Sequence, residues 1–141
     1  MSADDFAVFK QCMIDLDNYR FRESVLSRWL AISIKGNSVS DFLMVNNLNS
    51  VIVYGYGVVG KLLVEELANK TGIDIVAIID KNAGVYDEVI PIISPDDCIP
   101  KHDIMLVTFM DTNYAKNLMG ERSSNVVGID ELLDGFKIYT H

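Results

Sequence analysis

One stretch constrains the fold more than any other: Val51-Ile-Val-Tyr-Gly55-Tyr56-Gly57-Val58-Val59-Gly60-Lys-Leu-Leu-Val-Glu-Glu-Leu67. A short apolar run meets three glycines spaced G-x-G-x-x-G, and a helical pattern follows at once. That order predicts a strand, a tight turn and a helix whose amino end can hold a phosphate. Gly55 permits the turn after the strand, Gly57 lets the backbone approach a pyrophosphate, and Gly60 lets the helix sit close to the sheet. Asp80 stands twenty positions beyond Gly60, where the second strand is expected to end. A carboxylate there accepts hydrogen bonds from ribose hydroxyls and repels a 2′-phosphate. NAD-like, adenosine and uridine nucleotides are therefore expected over NADP. The neighbouring Lys81 is either a solvated lysine or a cation that takes an extra phosphate.

The rest of the chain from residue 50 supports a nucleotide-binding sheet. The expected order runs Val51–Tyr54 as strand, then Val58–Lys70 as a helix burying Val59, Leu62, Leu63 and Leu67. Ile73–Ile79 follows as a strand covered on both faces. Lys81–Asp87 reads as a polar loop containing Gly84. Glu88–Ile93 reads as a third strand placed at an edge by Pro91. Ser94-Pro95-Asp96-Asp97 has the form of a helix start, cut short by Ile99-Pro100. Ile104–Phe109 is a fourth strand and Asp111–Met119 a helix. Asn125–Ile129 is a fifth strand, followed by a short helix around Leu132 and then a last strand or tail over Phe136–Tyr139. The prediction is an α/β, Rossmann-like doubly wound sheet of about five mainly parallel strands in the order 3-2-1-4-5. Thr108 then falls at the carboxyl end of the fourth strand, where ligands bind across the switch point. Asp111, Thr112 and Asn113 follow it, as helix caps or as ligand contacts. Tyr56 either covers a base or phosphate or is merely exposed.

Residues 1–49 form a helical extension ahead of this nucleotide-binding domain at 50–141. Phe6, Phe9, Met13 and Leu16 recur at three- and four-residue steps, as do Leu26, Trp29, Leu30 and Ile34. Asp17-Asn18-Tyr19 marks a break between two helices, with one long helix as the alternative. Gly36-Asn37 ends the pattern, and Ser38 with Asp41 resembles a capping box opening a second helix. These apolar stripes are expected to pack within their own chain, the commonest fate of an apolar helix face. The alternatives are a homodimer or a glycosyltransferase partner docked on them.

Composition narrows the function classes. With 20 acidic and 12 basic side chains the net charge is −8, which opposes non-specific binding to nucleic acid or anionic lipid. No apolar run approaches the roughly 20 residues that span a bilayer, and the acidic start lacks a signal peptide's basic region. Cys12 and Cys98 are scattered thiols, not a disulfide framework or a metal motif. A cytoplasmic protein without membrane insertion is expected. His102 lies before the fourth strand, away from the binding crevice, and His141 is terminal. No nucleophile elbow, His-x-x-x-His pair or cysteine cluster supplies a reaction.

The glycine turn, Ile-Ile-Asp80-Lys-Asn82, Ile92-Ile-Ser94-Pro95 and Asp103-Ile-Met-Leu-Val-Thr108 together carry a family likeness. The chain resembles the small Rossmann-like proteins and accessory domains that accompany bacterial surface-polysaccharide enzymes. Among these are amino-terminal domains of sugar acyltransferases and carboxyl-terminal domains of some sugar methyltransferases. The likeness covers most of residues 25–135. It is similar also to potassium-channel regulatory domains, through the Gly-Tyr-Gly turn and Asp80. The resemblance implies NAD or nucleotide-sugar binding in polysaccharide biosynthesis, as an accessory or regulatory module without catalysis of its own. The expected site is Gly55, Tyr56, Gly57, Val58, Val59, Gly60, Asp80, Lys81 and Thr108. Two alternatives stand beside it: an NAD-dependent oxidoreductase or sugar epimerase completed by oligomerisation, and a non-catalytic protein-interaction module.

Overall fold

The computed structural model describes residues 2–83 and 89–139. Five strands, β1 (Ser50–Tyr54), β2 (Asp74–Ile79), β3 (Ile92–Ile93), β4 (Ile104–Val107) and β5 (Val126–Gly128), form one sheet. Every pairing is parallel and the order is β3-β2-β1-β4-β5, as the sequence predicted. Around the sheet lie α1 (Ala3–Ile34), α2 (Val39–Val45), α3 (Val58–Ala68), α4 (Thr112–Met119) and α5 (Ile129–Tyr139). The chain is thus a Rossmann-like doubly wound α/β protein.

The central strands are apolar throughout because both their faces are covered. Alternate side chains divide between two cores. Val51, Val53, Ile78, Ile104 and Leu106 meet Leu63 and Leu67 of α3, Leu43 of α2, Val25 and Trp29 of α1, and Leu132 and Phe136 of α5. On the opposite face Ile52, Tyr54, Ile79, Met105 and Val107 meet Ala115 and Met119 of α4. Asp103 ties the strand starts together: its Oδ2 accepts the N–H groups of Asn49 at 2.9 Å and Ser50 at 3.0 Å. Those two bonds, Ser50's foremost, hold its carboxyl below the usual carboxylate range.

Several expectations are corrected by the structure. Asp17-Asn18-Tyr19 is no break, and α1 is one helix of 32 residues, about 48 Å long at 1.5 Å per residue. No glycine or proline interrupts it, and isolated Asp or Asn residues cost a helix only tenths of a kcal/mol, about 0.7 at most. Its amino end carries a capping box in which Ser2 and Asp5 bond reciprocally. At Ser38 only half of such a box forms, with Ser38 Oγ accepting the Asp41 N–H. In α3 Leu62 is exposed and Val64 takes the buried position expected of it.

The segment from Ser94 makes a single turn, not a helix. Asp97 N–H bonds Ser94 O, while Asp97 Oδ2 accepts the Ser94 N–H. Pro100 has no N–H with which to continue it. Phe136 to Tyr139 belong to α5 rather than to a strand or tail, since Ile129, Leu132, Leu133 and Phe136 form one buried helical stripe. The third strand sits at the edge as expected but spans only Ile92–Ile93. The expected loop glycine, Gly84, and the expected strand start at Glu88 lie outside the described residues.

Own-chain packing holds for only part of α1. Val25, Trp29 and Ile32 are buried, and Trp29 Nε1 donates to Glu66 Oε1 of α3 at 3.1 Å. Arg28 pairs with Asp134 of α5. Phe6, Phe9, Met13, Leu16, Leu30 and Ile34 are exposed, contrary to expectation. Among the described residues no helix is long and apolar enough to cross a membrane.

Candidate functional site

The glycine turn joins β1 to α3 at the carboxyl edge of the sheet. Gly55 has φ +103°, a left-handed conformation that glycine adopts without strain, and its N–H bonds Ile79 O of β2 at 2.8 Å. A Cβ on Gly60 would stand 1.9 Å from Gly55 O. The absence of a side chain there lets α3 press on the turn. Thr108 closes the arrangement from β4: its hydroxyl lies 3.0 Å from Tyr54 O and 2.9 Å from Gly55 O, shared between the two. The Thr108 hydroxyl is thus turned onto the glycine turn as its clamp. Thr108→Val removes that donor and is expected to cost about 1–2 kcal/mol, measured as a lowered urea midpoint with an unchanged slope.

Gly57 differs from its neighbours. Its backbone is extended, and a Cβ built on it meets nothing within 4 Å. It caps α3 without a side-chain hydrogen bond, so the amides of Val58, Val59 and Gly60 begin the helix with no side-chain acceptor over them. Asp80 is fixed at the same place: Oδ2 accepts the Tyr56 N–H at 2.9 Å and Oδ1 accepts the Asn82 N–H at 2.8 Å. Each carboxylate oxygen has a second lone pair, so both still accept hydroxyl donors. Tyr56 is not exposed. Its side chain is buried in the core on the α3 face, with Lys61 Nζ 5.6 Å from the ring centroid.

Two clefts flank the turn. One, of about 320 Å³, has Gly55, Gly57, Val58, Val59, Gly60 and Thr108 on one side and Asn18, Phe21 and Arg22 of α1 on the other. The second, of about 530 Å³, is lined by Tyr54, Gly55, Asp80, Lys81, Pro95, Phe109, Asp111 and Tyr114. Gly55 and Phe109 line both, so the clefts meet at the turn. Burial, followed by the neighbouring Tyr114, raises the Tyr54 phenol above its ordinary value. The ring of Phe109 meets that of Tyr54 edge-on at 4.9 Å.

All nine residues expected at the site therefore gather around one turn, though in different roles. Tyr56 offers backbone only, Thr108 braces the turn, and Lys81 is an exposed cation on the second cleft. Asp111 caps α4 through a 3.0 Å bond from the Tyr114 N–H. Arg22 was absent from the expected set. It lies over thirty positions before the turn, and no local pattern marks it. Only the passage of α1 across the cleft brings it there. Its guanidinium lies 5.9 Å from the Tyr19 ring centroid and has no ion pair among the described residues. His102 bonds Ser123 Oγ at 2.7 Å, near the opposite, amino end of β4. No cluster of metal-binding side chains occurs among the described residues. Comparison with protein-family models, curated proteins and solved structures gives no match.

Proposed function

We propose that the protein binds a nucleotide diphosphate, NAD-like or a nucleotide-sugar, as an accessory or regulatory module in polysaccharide biosynthesis. The observation that carries this reading is the open space at Gly57. The uncapped start of α3 faces a cleft whose opposite wall supplies Arg22. A pyrophosphate there accepts from the amides of Val58 to Gly60 and pairs with the guanidinium, the forked donor suited to phosphate oxygens. The ribose hydroxyls donate to Asp80. The base or sugar occupies the larger cleft, between Phe109, Tyr114 and Pro95. Binding, rather than a reaction, is favoured by the way the polar side chains are used. Thr108, Asp80 and Asp111 all spend hydrogen bonds on backbone that shapes the site.

Arg22→Ala tests this directly. Loss of a charge-assisted hydrogen bond is worth about 1.5–3 kcal/mol. Calorimetric titration with NAD or a UDP-sugar is thus expected to show affinity weakened by about tenfold or more. The arginine's share should shrink as salt is raised. Equal affinity for wild type and variant would remove Arg22 from the site.

A further inference from the structure

The amino-terminal half of α1 bears an apolar seam that its own chain does not cover. Phe6, Phe9, Met13 and Leu16 are 54, 53, 43 and 39% exposed. Their 3-4-3 spacing is that of the a and d positions at which two helices interlock. At about 100° per residue this seam lies roughly 150° around the axis from Val25, Trp29 and Ile32, which pack on the sheet domain. The seam therefore faces away from the body of its own chain. Arg20 and Glu23 occupy the next a and d positions and end it where α1 reaches that body.

We infer that this seam pairs in parallel with the same seam of a second copy. The flanking charges select both the occupant and its direction. With Phe6 at a, Asp5 falls at g and Lys10 at the following e position. In a parallel pair each Asp5 faces Lys10 of the other copy, twice by symmetry. An antiparallel pair centred between Phe9 and Met13 would instead set Lys10 beside Lys10 of the other copy, a repulsive contact. The capping box at Ser2 and Asp5 and the anchored carboxyl-terminal third fix the helix from both ends. Pairing thus pays little ordering entropy. The two sheet domains stand on opposite outer sides of the pair, leaving both glycine-turn clefts clear.

Sedimentation velocity on the full chain across the micromolar range is expected to show a dimer. The double variant Phe9→Asp, Met13→Asp should be monomeric yet folded, because both side chains are exposed in the single chain, with a melting temperature that, unlike the wild type's, does not rise with protein concentration. A second measurement fixes the direction. In a Cys12→Ser, Cys98→Ser background, Leu16→Cys places two thiols at facing d positions, and mild oxidation should link two copies. A monomeric wild type, or a double variant that remains dimeric, overturns the pairing. A dimer that Leu16→Cys fails to link overturns the parallel direction.

Discussion

Gly60→Ala lowers the melting temperature by about 10 °C, and the loss falls on the fold before it falls on any ligand. The added Cβ meets Gly55 O at 1.9 Å and the Gly55 carbonyl carbon at 2.9 Å. Both are backbone atoms, so no side chain can swing aside. Gly55 cannot retreat either: its N–H is bonded to Ile79 O, and the Thr108 hydroxyl holds its carbonyl. Relief requires α3 to lift from the turn, which loosens Val59, Leu63 and Leu67 in the core. Overpacking against fixed atoms costs about 3 kcal/mol. At roughly 3–4 °C per kcal/mol for a chain of this size, that gives the stated fall. It leaves a folded protein, since domains of this kind have about 5–15 kcal/mol to lose. Differential scanning calorimetry checks it, and a wild-type transition would mean that α3 and the turn are less closely packed than described.

Gly57→Val acts in the reverse sense, removing binding while sparing the fold. Two residues separate the two glycines, yet a Cβ at Gly57 meets nothing within 4 Å. Its φ of −85° lies on the negative side that non-glycine residues adopt. Exchanging glycine for valine at a helix cap costs about 1 kcal/mol, a few degrees of melting temperature. The valine methyls fill the space through which, in the proposed binding mode, a phosphate would reach the amides of Val58 to Gly60. Affinity for a nucleotide diphosphate is expected to drop at least about hundredfold, or 2.7 kcal/mol. The contrast between the two variants separates the glycine kept for packing from the glycine kept for approach.

The sheet was legible because Val51 to Tyr54, Ile75 to Ile79 and Ile104 to Val107 are apolar runs, the first ending at Gly55 and the second at Asp80. In β1 and β4 the buried residues are continuous, Val51 to Tyr54 and Ile104 to Val107, as two covered faces require. Gly55, Gly60 and Asp80 could be placed from spacing alone, because each is demanded by local backbone geometry. What escaped was decided by tertiary contact. Phe136 looked like a strand residue until Leu132 and Leu133 placed it on the same buried face. Tyr56 sits among exposed turn residues in sequence, yet its ring reaches the core. Arg22 belongs to a helix whose path no local signal reveals. The exposed half of α1 has an amphipathic pattern as clear as that of the buried half, and pattern alone does not tell which partner an apolar face has.

The glycine turn is the centre of the proposed nucleotide site. Thermal denaturation of the wild-type protein and of Gly57→Val, each with NAD, NADP, AMP, coenzyme A and UDP-sugars, tests it most directly. A ligand at a hundred times its dissociation constant adds about 2.7 kcal/mol of stability. With roughly 3–4 °C per kcal/mol, the wild-type transition should then rise by about 8–11 °C. NAD or a UDP-sugar should produce that rise, NADP should produce less because Asp80 opposes a 2′-phosphate, and Gly57→Val at the same ligand concentration should rise by no more than about 1–2 °C. A wild-type transition unmoved by every ligand, or a variant that shifts as far as the wild type, would contradict the account.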